Sequence, residues 1–306
     1  MKNLIVILLA AILIFGCVNP VTPKSGTTTG AQTTPSGGTT VGQPAESCTQ
    51  SQTFSDLGSG VLSKTTELVA TVTCAAGKNV VVKVDGNAAA TAQVSTNATQ
   101  EIKLGIPATT DGTHKVTVEI GGETLLSKDW LVKPLGTQDI KGLETDAVSF
   151  KEWRAIAVDI DNPISAARVK AYVKTQQFHL QPNSNILLEV RKDNGAKPGD
   201  LVGSVRNPIS SVTQTDNWVN FDFDPALSLS PGRYWLVLKV EQTEDVNLVS
   251  DLVQLHYVTV DKTASGNDHT SQMLLSVNEK TGVASESQWT PLNYDKEYNI
   301  VLTTSK

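Results

Sequence analysis

The sequence contains two tryptophans whose neighbours suit ligand binding, and the first is Trp235. In residues 233–240, apolar side chains recur at every second position from Tyr234 onward. Successive side chains of a β-strand point to opposite faces, so this pattern places Trp235 on the non-core face, together with Arg233 and Lys239. An aromatic ring between two cations on that face is a candidate binding residue.

Trp218 has a similar setting. In residues 218–224 the apolar side chains occupy the odd positions, which leaves Trp218 on the other face with Asn220 and Asp222. A flat aromatic ring can stack on the C–H face of a sugar while polar neighbours bind its hydroxyls. The alternative is that both tryptophans pack under loops or against a neighbouring domain. The predicted binding set is Trp235, secondarily Trp218, and the polar neighbours Arg233, Asn220 and Asp222.

Catalytic motifs are missing from the sequence. It has no His-Glu-x-x-His, no Cys-x-x-Cys, no Gly-x-Ser-x-Gly elbow and no glycine-rich phosphate loop. The four histidines are scattered at positions 114, 179, 256 and 269. We therefore predict that the protein is not an enzyme and assign no catalytic residue.

The net charge of the chain and the oxygen-bearing side chains of one loop decide which charged partners are predicted. The formal net charge of -6, with no cluster of Lys and Arg, disfavours binding to a phosphate backbone, so nucleic acid is not a predicted partner. The loop of residues 192–200 offers the oxygen ligands Asp193, Asn194 and Asp200, which could hold a structural Ca²⁺. The signature of a dedicated calcium loop is missing, and no other cofactor or metal site is predicted.

The N-terminus has the features of an export signal. A cationic start is followed by unbroken apolar residues at positions 4–15, a length typical of a secretory signal and too short to span a bilayer. Ile14, Gly16 and Cys17 resemble the cleavage box of bacterial and archaeal lipoproteins. This resemblance implies a signal peptide over residues 1–16, lipidation of Cys17 and a lipid-anchored, extracytoplasmic protein.

Residues 17–47 predict a disordered tether. In residues 18–47, 20 of the 30 residues are Ser, Thr, Gly or Pro, and none is aromatic. Ordering such a segment would cost roughly 1 to 2 kcal/mol per residue with little apolar area buried in return. The segment would hold the folded part away from the membrane.

Residues 48–134 predict a β-sandwich. Period-two alternation dominates, and Asp85-Gly86 and Gly121-Gly122 are tight-turn signals between strands. Cys48 and Cys74 remain as an even pair in an exported chain, for which a disulfide is the natural interpretation and two free thiols the alternative. Asn97 begins a glycosylation sequon. The segment resembles the immunoglobulin-like spacers of microbial surface proteins.

Residues 135–306 predict a second and larger β-sandwich. A Pro-Gly turn at 195–199, a Trp-x-x-Phe-x-Phe strand from Trp218 and a Pro-Gly-x-Tyr-Trp-Leu-Val-Leu segment follow one another. This order resembles jelly-roll accessory domains of secreted microbial proteins, including carbohydrate-binding-module-like domains without catalytic activity. The predicted fold class is therefore all-β: an immunoglobulin-like sandwich, then a jelly-roll sandwich, preceded by a signal peptide and a disordered linker.

These parts favour one function and leave two alternatives. The leading hypothesis is a non-enzymatic, lipid-anchored surface protein that presents the jelly roll to a glycan, a surface polymer or a protein partner. The alternatives are a secreted hydrolase with an unrecognised active site and a structural component of an envelope complex.

Overall fold

The computed structural model describes residues 48–138, 144–149, 152–175, 184–241, 253–259, 272–276, 289–291 and 296–306. The predicted signal peptide, Cys17 and the predicted tether lie outside these residues. Within these ranges the chain forms β-strands and one short 3-10 turn, Ile209–Ser211, and no α-helix. Because every strand belongs to one of several packed sheets, the prediction of an all-β sandwich architecture is confirmed.

Between Cys48 and Pro134, eight strands form two antiparallel-rich sheets. Strands β1, β3 and β6 make a three-stranded sheet, and a five-stranded sheet has the order β2-β8-β7-β4-β5. The strands are β1 (Ser51–Phe54), β2 (Gly60–Val61), β3 (Thr65–Thr73), β4 (Asn79–Val84), β5 (Asn87–Gln93), β6 (Gln100–Pro107), β7 (Gly112–Ile120) and β8 (Glu123–Lys133).

Both predicted turns close antiparallel hairpins. Asp85 and Gly86 join β4 to β5 with φ angles of 49° and 82°, and Gly121 and Gly122 join β7 to β8 with φ angles of 62° and 90°. Two consecutive positive φ angles are typical of the two-residue turn whose twist matches that of paired strands. The turn residues therefore set the pairing next to each turn, and an irregularity in each hairpin shifts the register further along the strands.

In the described residues after Pro134, thirteen strands form two further sheets. A seven-stranded sheet has the path β10-β17-β12-β21-β9, with β15 paired to β12 and β20 to β17, and a six-stranded sheet has the order β14-β13-β16-β11-β18-β19. The strands are β9 (Leu135–Gly136), β10 (Glu144–Val148), β11 (Glu152–Ile160), β12 (Ile164–Thr175), β13 (Asn185–Asp193), β14 (Pro198–Pro208), β15 (Asn217–Leu229), β16 (Gly232–Glu241), β17 (Val253–Thr259), β18 (Gln272–Ser276), β19 (Thr290–Pro291), β20 (Lys296–Tyr298) and β21 (Ile300–Thr303).

One continuous apolar core runs through the sheets on both sides of Pro134. On β12, Val169, Ala171 and Val173 face this core, and on β15, Phe221 does. The alternate residues of β12 and β15 therefore lie on the outer face of the seven-stranded sheet. That face carries the candidate site described below.

The two halves of the chain are tied together at two places. Asp111 accepts hydrogen bonds at Oδ1 from the backbone N and the hydroxyl of Thr304, at 2.6 and 2.7 Å. Asn162 donates through its backbone N and its Nδ2 to the carbonyl oxygen of Ser63, at 2.9 and 2.7 Å. In addition, β9 pairs with β21, so the segment after Pro134 is built into the second half. These contacts hold the two halves as one compact unit.

The predicted disulfide is confirmed, since Cys48 and Cys74 are bonded with their Cα atoms 5.6 Å apart. Asn97 is exposed, and its Oδ1 accepts a hydrogen bond from the backbone N of Ala76 at 3.0 Å. Glycosylation at Asn97 stays a prediction. Throughout the part of the chain that the structure describes, no helix is long and apolar enough to cross a membrane.

Candidate functional site

Trp235 is not available to a ligand, and the prediction that it forms a binding surface is wrong. It does lie on the opposite face of β16 from Tyr234 and Leu236, as alternation predicts, but its exposed fraction is 0%. A second apolar cluster covers that face and packs Trp235 against Val237 and Trp289. Alternation assigns a side chain to a face but does not show whether another layer packs on that face.

The indole N–H of Trp235 also has a hydrogen-bond partner inside the protein. Its Nε1 donates to Oδ1 of Asp193 at 2.7 Å, while Oδ2 of Asp193 accepts from the backbone N of Ala196 at 3.2 Å. Both carboxylate oxygens of Asp193 therefore have protein donors. In the described ranges, no group of three or more His, Cys, Asp or Glu side chains is arranged to hold a metal ion. A Ca²⁺ site at Asp193, Asn194 and Asp200 stays a prediction.

Charged side chains continue this buried face. Glu189 is 5% exposed and forms ion pairs with Arg191 and Lys239. Burial raises the pKa of Glu189, but the hydrogen bonds from Lys239 and Arg191 outweigh burial and hold the pKa below its usual range. The Lys239 Nζ also lies 4.2 Å from the centre of the Trp153 ring. Lys239, expected beside an exposed Trp235, instead belongs to an internal ion-pair network.

Arg233 is likewise separated from the other predicted site residues. It forms two hydrogen bonds with Asp159, Nε to Oδ1 at 2.7 Å and Nη2 to Oδ2 at 2.9 Å. The hydrogen bond from Arg233 holds the pKa of Asp159 below its usual range. Arg233 lies on the six-stranded sheet, whereas Trp218, Asn220 and Asp222 lie on the other sheet. The structure therefore divides the predicted set in two.

Trp218 occupies the outer face of the seven-stranded sheet in a row of rings. It is partly exposed and lies directly across from Tyr172 of β12, with the ring centres 5.1 Å apart. Tyr172 in turn lies 5.0 Å from the ring of His256 on β17. His256 is buried, and its Nε2 donates a hydrogen bond to Oδ1 of Asp216 at 2.9 Å. Tyr172 is thus held between His256 and Trp218, which supports the Trp218 ring from one side.

Burial has a clear effect on His256. Desolvation lowers the pKa of its imidazole below the usual value, although the nearby carboxylate of Asp216 acts in the opposite direction. Lys174, which pairs with Asp216 at 3.3 Å, adds a smaller lowering effect. His256 is therefore held neutral at pH 7 and supports Tyr172 as an uncharged ring.

Asp222 is the most strongly engaged of the predicted polar residues on this face. Arg168 forms a two-pronged ion pair with it, including Nη2 to Oδ2 at 3.0 Å. The hydrogen bond from Arg168 holds the pKa of Asp222 below its usual range. Because both Asp222 oxygens already face a guanidinium, this residue orders the edge of the site rather than offering free acceptors to a ligand.

A shallow groove next to Trp218 gathers polar side chains that no described residue engages. It has a volume of about 440 Å³ and is lined by Gln138, Lys170, Trp218, Asn220 and Val301. The side chains of Gln138, Lys170 and Asn220 make no hydrogen bond or ion pair with another described residue. The volume falls within the range of roughly 300 to 1,000 Å³ typical of small-ligand sites. An aromatic ring surrounded by unused donors and acceptors can bind a polyhydroxylated molecule.

The strands explain why these residues meet. Lys170 lies directly opposite Asn220 on β15 and opposite Val301 on β21. Val301 lies opposite Gly136 on β9, two residues before Gln138. The groove therefore runs across neighbouring strands of one sheet.

Sequence reasoning missed Tyr172, Lys170 and Gln138. The alternation of residues 168–174 already places Lys170 and Tyr172 on the outer face of a strand. The missing information was the pairing of β12 with β15 and β21, which depends on strands far apart in sequence. No sequence pattern singled out Gln138, because the strand before it has only two residues and is too short to show alternation.

Two other features could serve as sites, but neither combines exposure with unused polar groups around an aromatic ring. A cavity of about 570 Å³ lies between β14 and β15, where the lining aromatic residue, Phe223, is buried. At one end of the second half, Tyr257 donates to Glu144 and Tyr298 donates to Asp146. Burial, followed by the hydrogen bond to Asp146, raises the pKa of Tyr298. These tyrosine–carboxylate pairs satisfy one another inside the fold.

Comparisons with known proteins add little to this picture. No protein-family model matches the chain, and no curated protein sequence matches it. Among solved structures, one described as concerning carbohydrate-binding modules from the β-sandwich superfamily is similar at 11% identity and a TM-score of 0.19. The match covers 63% of this chain and 97% of that one. A likeness at this level carries no argument about the site.

Proposed function

We propose that this chain is a non-enzymatic binding protein whose second half binds a glycan on the outer face of β12 and β15. The observation that carries the proposal is the groove in which Trp218 stands beside Lys170, Asn220 and Gln138. Their side-chain polar groups make no hydrogen bond or ion pair with another described residue. Sugars present a C–H face for stacking and hydroxyls for hydrogen bonding, which this combination can satisfy together.

The rest of the chain supports presentation of that groove at a cell surface. The proposed order is a lipid anchor at Cys17, a flexible tether, an immunoglobulin-like spacer and a terminal jelly roll. A flexible chain of the tether's length has a root-mean-square span of roughly 30 Å. In this proposal the tether places the groove clear of the lipid head groups, where a surface or extracellular polymer can reach it.

A glycan array probed with the full-length chain tests the proposal. Wild-type protein is expected to bind a subset of glycans, and Trp218→Ala is expected to lose most of that signal. Stacking of this kind contributes on the order of 0.5 to 1.5 kcal/mol beyond area burial, which corresponds to a severalfold weaker affinity. Trp218→Phe keeps a ring and should retain part of the binding.

The matched control is Leu201→Ala. Leu201 is a large apolar residue with 53% exposure on β14, outside the groove, so its removal should leave binding unchanged. Equal loss in Trp218→Ala and Leu201→Ala would indicate a nonspecific surface effect. A wild-type array without signal would contradict the proposal and leave a protein partner, or a substrate of an unrecognised hydrolase, as the alternatives to pursue by pull-down and turnover screens.

A further inference from the structure

The groove at Trp218 continues beyond the second half of the chain. From β15 it crosses β12 and β21 to β9, three strand intervals of about 4.8 Å each, or roughly 14 Å. Gln138 lies at the far end of this path. A second cavity, of about 480 Å³, begins at the same residue, because Gln138 also belongs to its lining. The two cavities therefore meet at Gln138.

The second cavity carries the path onto the first half. Its lining includes Pro134, Lys133, Leu131 and Val61, which belong to the end of β8 and to β2 or follow them directly. Leu131 is 49% exposed and Val61 is 37% exposed. Isolated exposed apolar residues are common, but these two line one cavity that shares Gln138 with the groove at Trp218. Such a strip suits the apolar faces of successive rings in a chain.

Charge along the path is more positive than expected for this protein. Lys170 lies in the first cavity and Lys133 in the second, and neither makes an ion pair within the described residues. The carboxylate in the described lining, Asp111, accepts two hydrogen bonds from Thr304 at Oδ1. The chain as a whole has a formal charge of -6. Two lysines that make no ion pair within the described residues therefore lie along the path, which complements a ligand with repeated negative charge.

We propose that one linear acidic polysaccharide, with carboxylate-bearing sugar rings, binds along this path from Trp218 across Gln138 to Leu131. The inference rests on the proposed function and adds two things: the ligand is an anionic polymer, and the first half of the chain is part of its binding site. In this arrangement Trp218 stacks on one ring, Lys170 and Lys133 each pair with a carboxylate, and Leu131 contacts a distal ring.

Calorimetric titration of the full-length chain with oligogalacturonates of increasing length tests this inference. The matched ligands are the same oligomers with their carboxylates reduced to alcohols. Affinity for the acidic series is expected to rise with length until the oligomer spans the path, and to exceed affinity for the reduced series. Binding of the acidic series should also weaken as salt is raised from about 0.01 to about 1 M, where the screening length falls from about 30 to about 3 Å.

Variants separate the two parts of the path. Lys133→Gln and Leu131→Ser should weaken the binding of long acidic oligomers and leave that of short ones unchanged. Lys170→Gln should weaken both, with a loss of about two- to fivefold for each lysine. Leu201→Ser is the matched control for Leu131→Ser, since it removes a similarly exposed apolar side chain elsewhere.

The outcomes distinguish the inference from the function on which it rests. Binding that depends on Trp218 but not on oligomer length, charge or Lys133 would overturn the inference and leave the proposed glycan groove intact. Equal affinity for the acidic and reduced series would also overturn it. If neither series binds, while other glycans bind on the array, the acidic ligand class is wrong. If no glycan binds at all, the proposed function fails with it.

Discussion

At the scale of single residues, Trp235 and Trp218 stand in different environments and should respond differently to truncation. Trp235 is fully buried and donates to Asp193, so Trp235→Ala leaves a cavity and an unpaired acceptor. Truncation of a buried tryptophan costs about 3 to 5 kcal/mol. We expect a large fall in melting temperature for Trp235→Ala and a small one for Trp218→Ala. Equal stability of the two variants would contradict the assignment of Trp235 to the interior.

His256 should make stability depend on pH. Its folded-state pKa lies below the ordinary value of about 6.5, so the unfolded chain binds the proton more readily. Stability should therefore be complete above about pH 6.5 and decline as the pH falls below that value. The groups facing the ring are Asp216, Lys174 and Tyr172.

Urea unfolding of wild-type protein and His256→Asn between about pH 7.5 and pH 5 measures this effect. The wild-type free energy of unfolding should fall more steeply with acidification than that of the variant. Asp159, Asp222 and Glu189 have lowered pKa values and lose their contribution only near and below about pH 4, outside this range. Parallel pH profiles would show that His256 is not held neutral by burial.

At the scale of elements, the short strand β9 follows directly after β8 of the first half, pairs with β21, and depends on Gly136. This glycine has φ +115°, and a Cβ built on it would lie 2.1 Å from the carbonyl oxygen of Ile300 on β21. A side chain at this position is therefore excluded by both conformation and space. Gly136 also lies two residues before Gln138, at the junction of the two cavities.

Gly136→Ala should accordingly break the pairing of β9 with β21. We expect lower thermal stability, faster hydrogen exchange in residues 134–138 and 300–304, and weaker glycan binding. Gly86→Ala is the control, because Gly86 also has a positive φ, of 82°, but a Cβ placed on it would meet no other atom within 4 Å. If exchange near β21 is the same in both variants, the pairing of β9 with β21 does not depend on Gly136.

The local sequence pattern predicted turns and strand faces, but it could not predict contacts between residues that are distant in sequence. The turns at Asp85-Gly86 and Gly121-Gly122 were predictable because positive φ angles favour glycine. The face of Trp218 followed from alternation. The pairing of Lys170 with Asn220 and Val301 was not predictable, since it joins strands separated by tens of residues. The burial of Trp235 was also missed, because it depends on packing partners such as Trp289 from a distant segment.

At the scale of the whole molecule, the proposed lipid anchor determines where the groove is presented. We expect Cys17→Ser to release the chain from membranes or to leave it unprocessed. The variant lacks the residue that would carry the acyl chains, and stable anchoring requires more than one such membrane-binding group. Membrane fractionation with mass spectrometry of the N-terminus measures this. A Cys17→Ser protein that fractionates with membranes at the processed mass of the wild type would disprove the anchor.

The central claim, that glycan binds at Trp218 on the outer face of β12 and β15, is tested most directly by hydroxyl-radical footprinting of the full-length chain with and without a bound glycan. In the free chain, Trp218 and Tyr172 should be oxidised, whereas Trp235 and Trp130, at 0% and 1% exposure, should not. Bound glycan should protect Trp218 and its neighbours in the groove. Unchanged oxidation of Trp218 at saturating glycan would contradict the account.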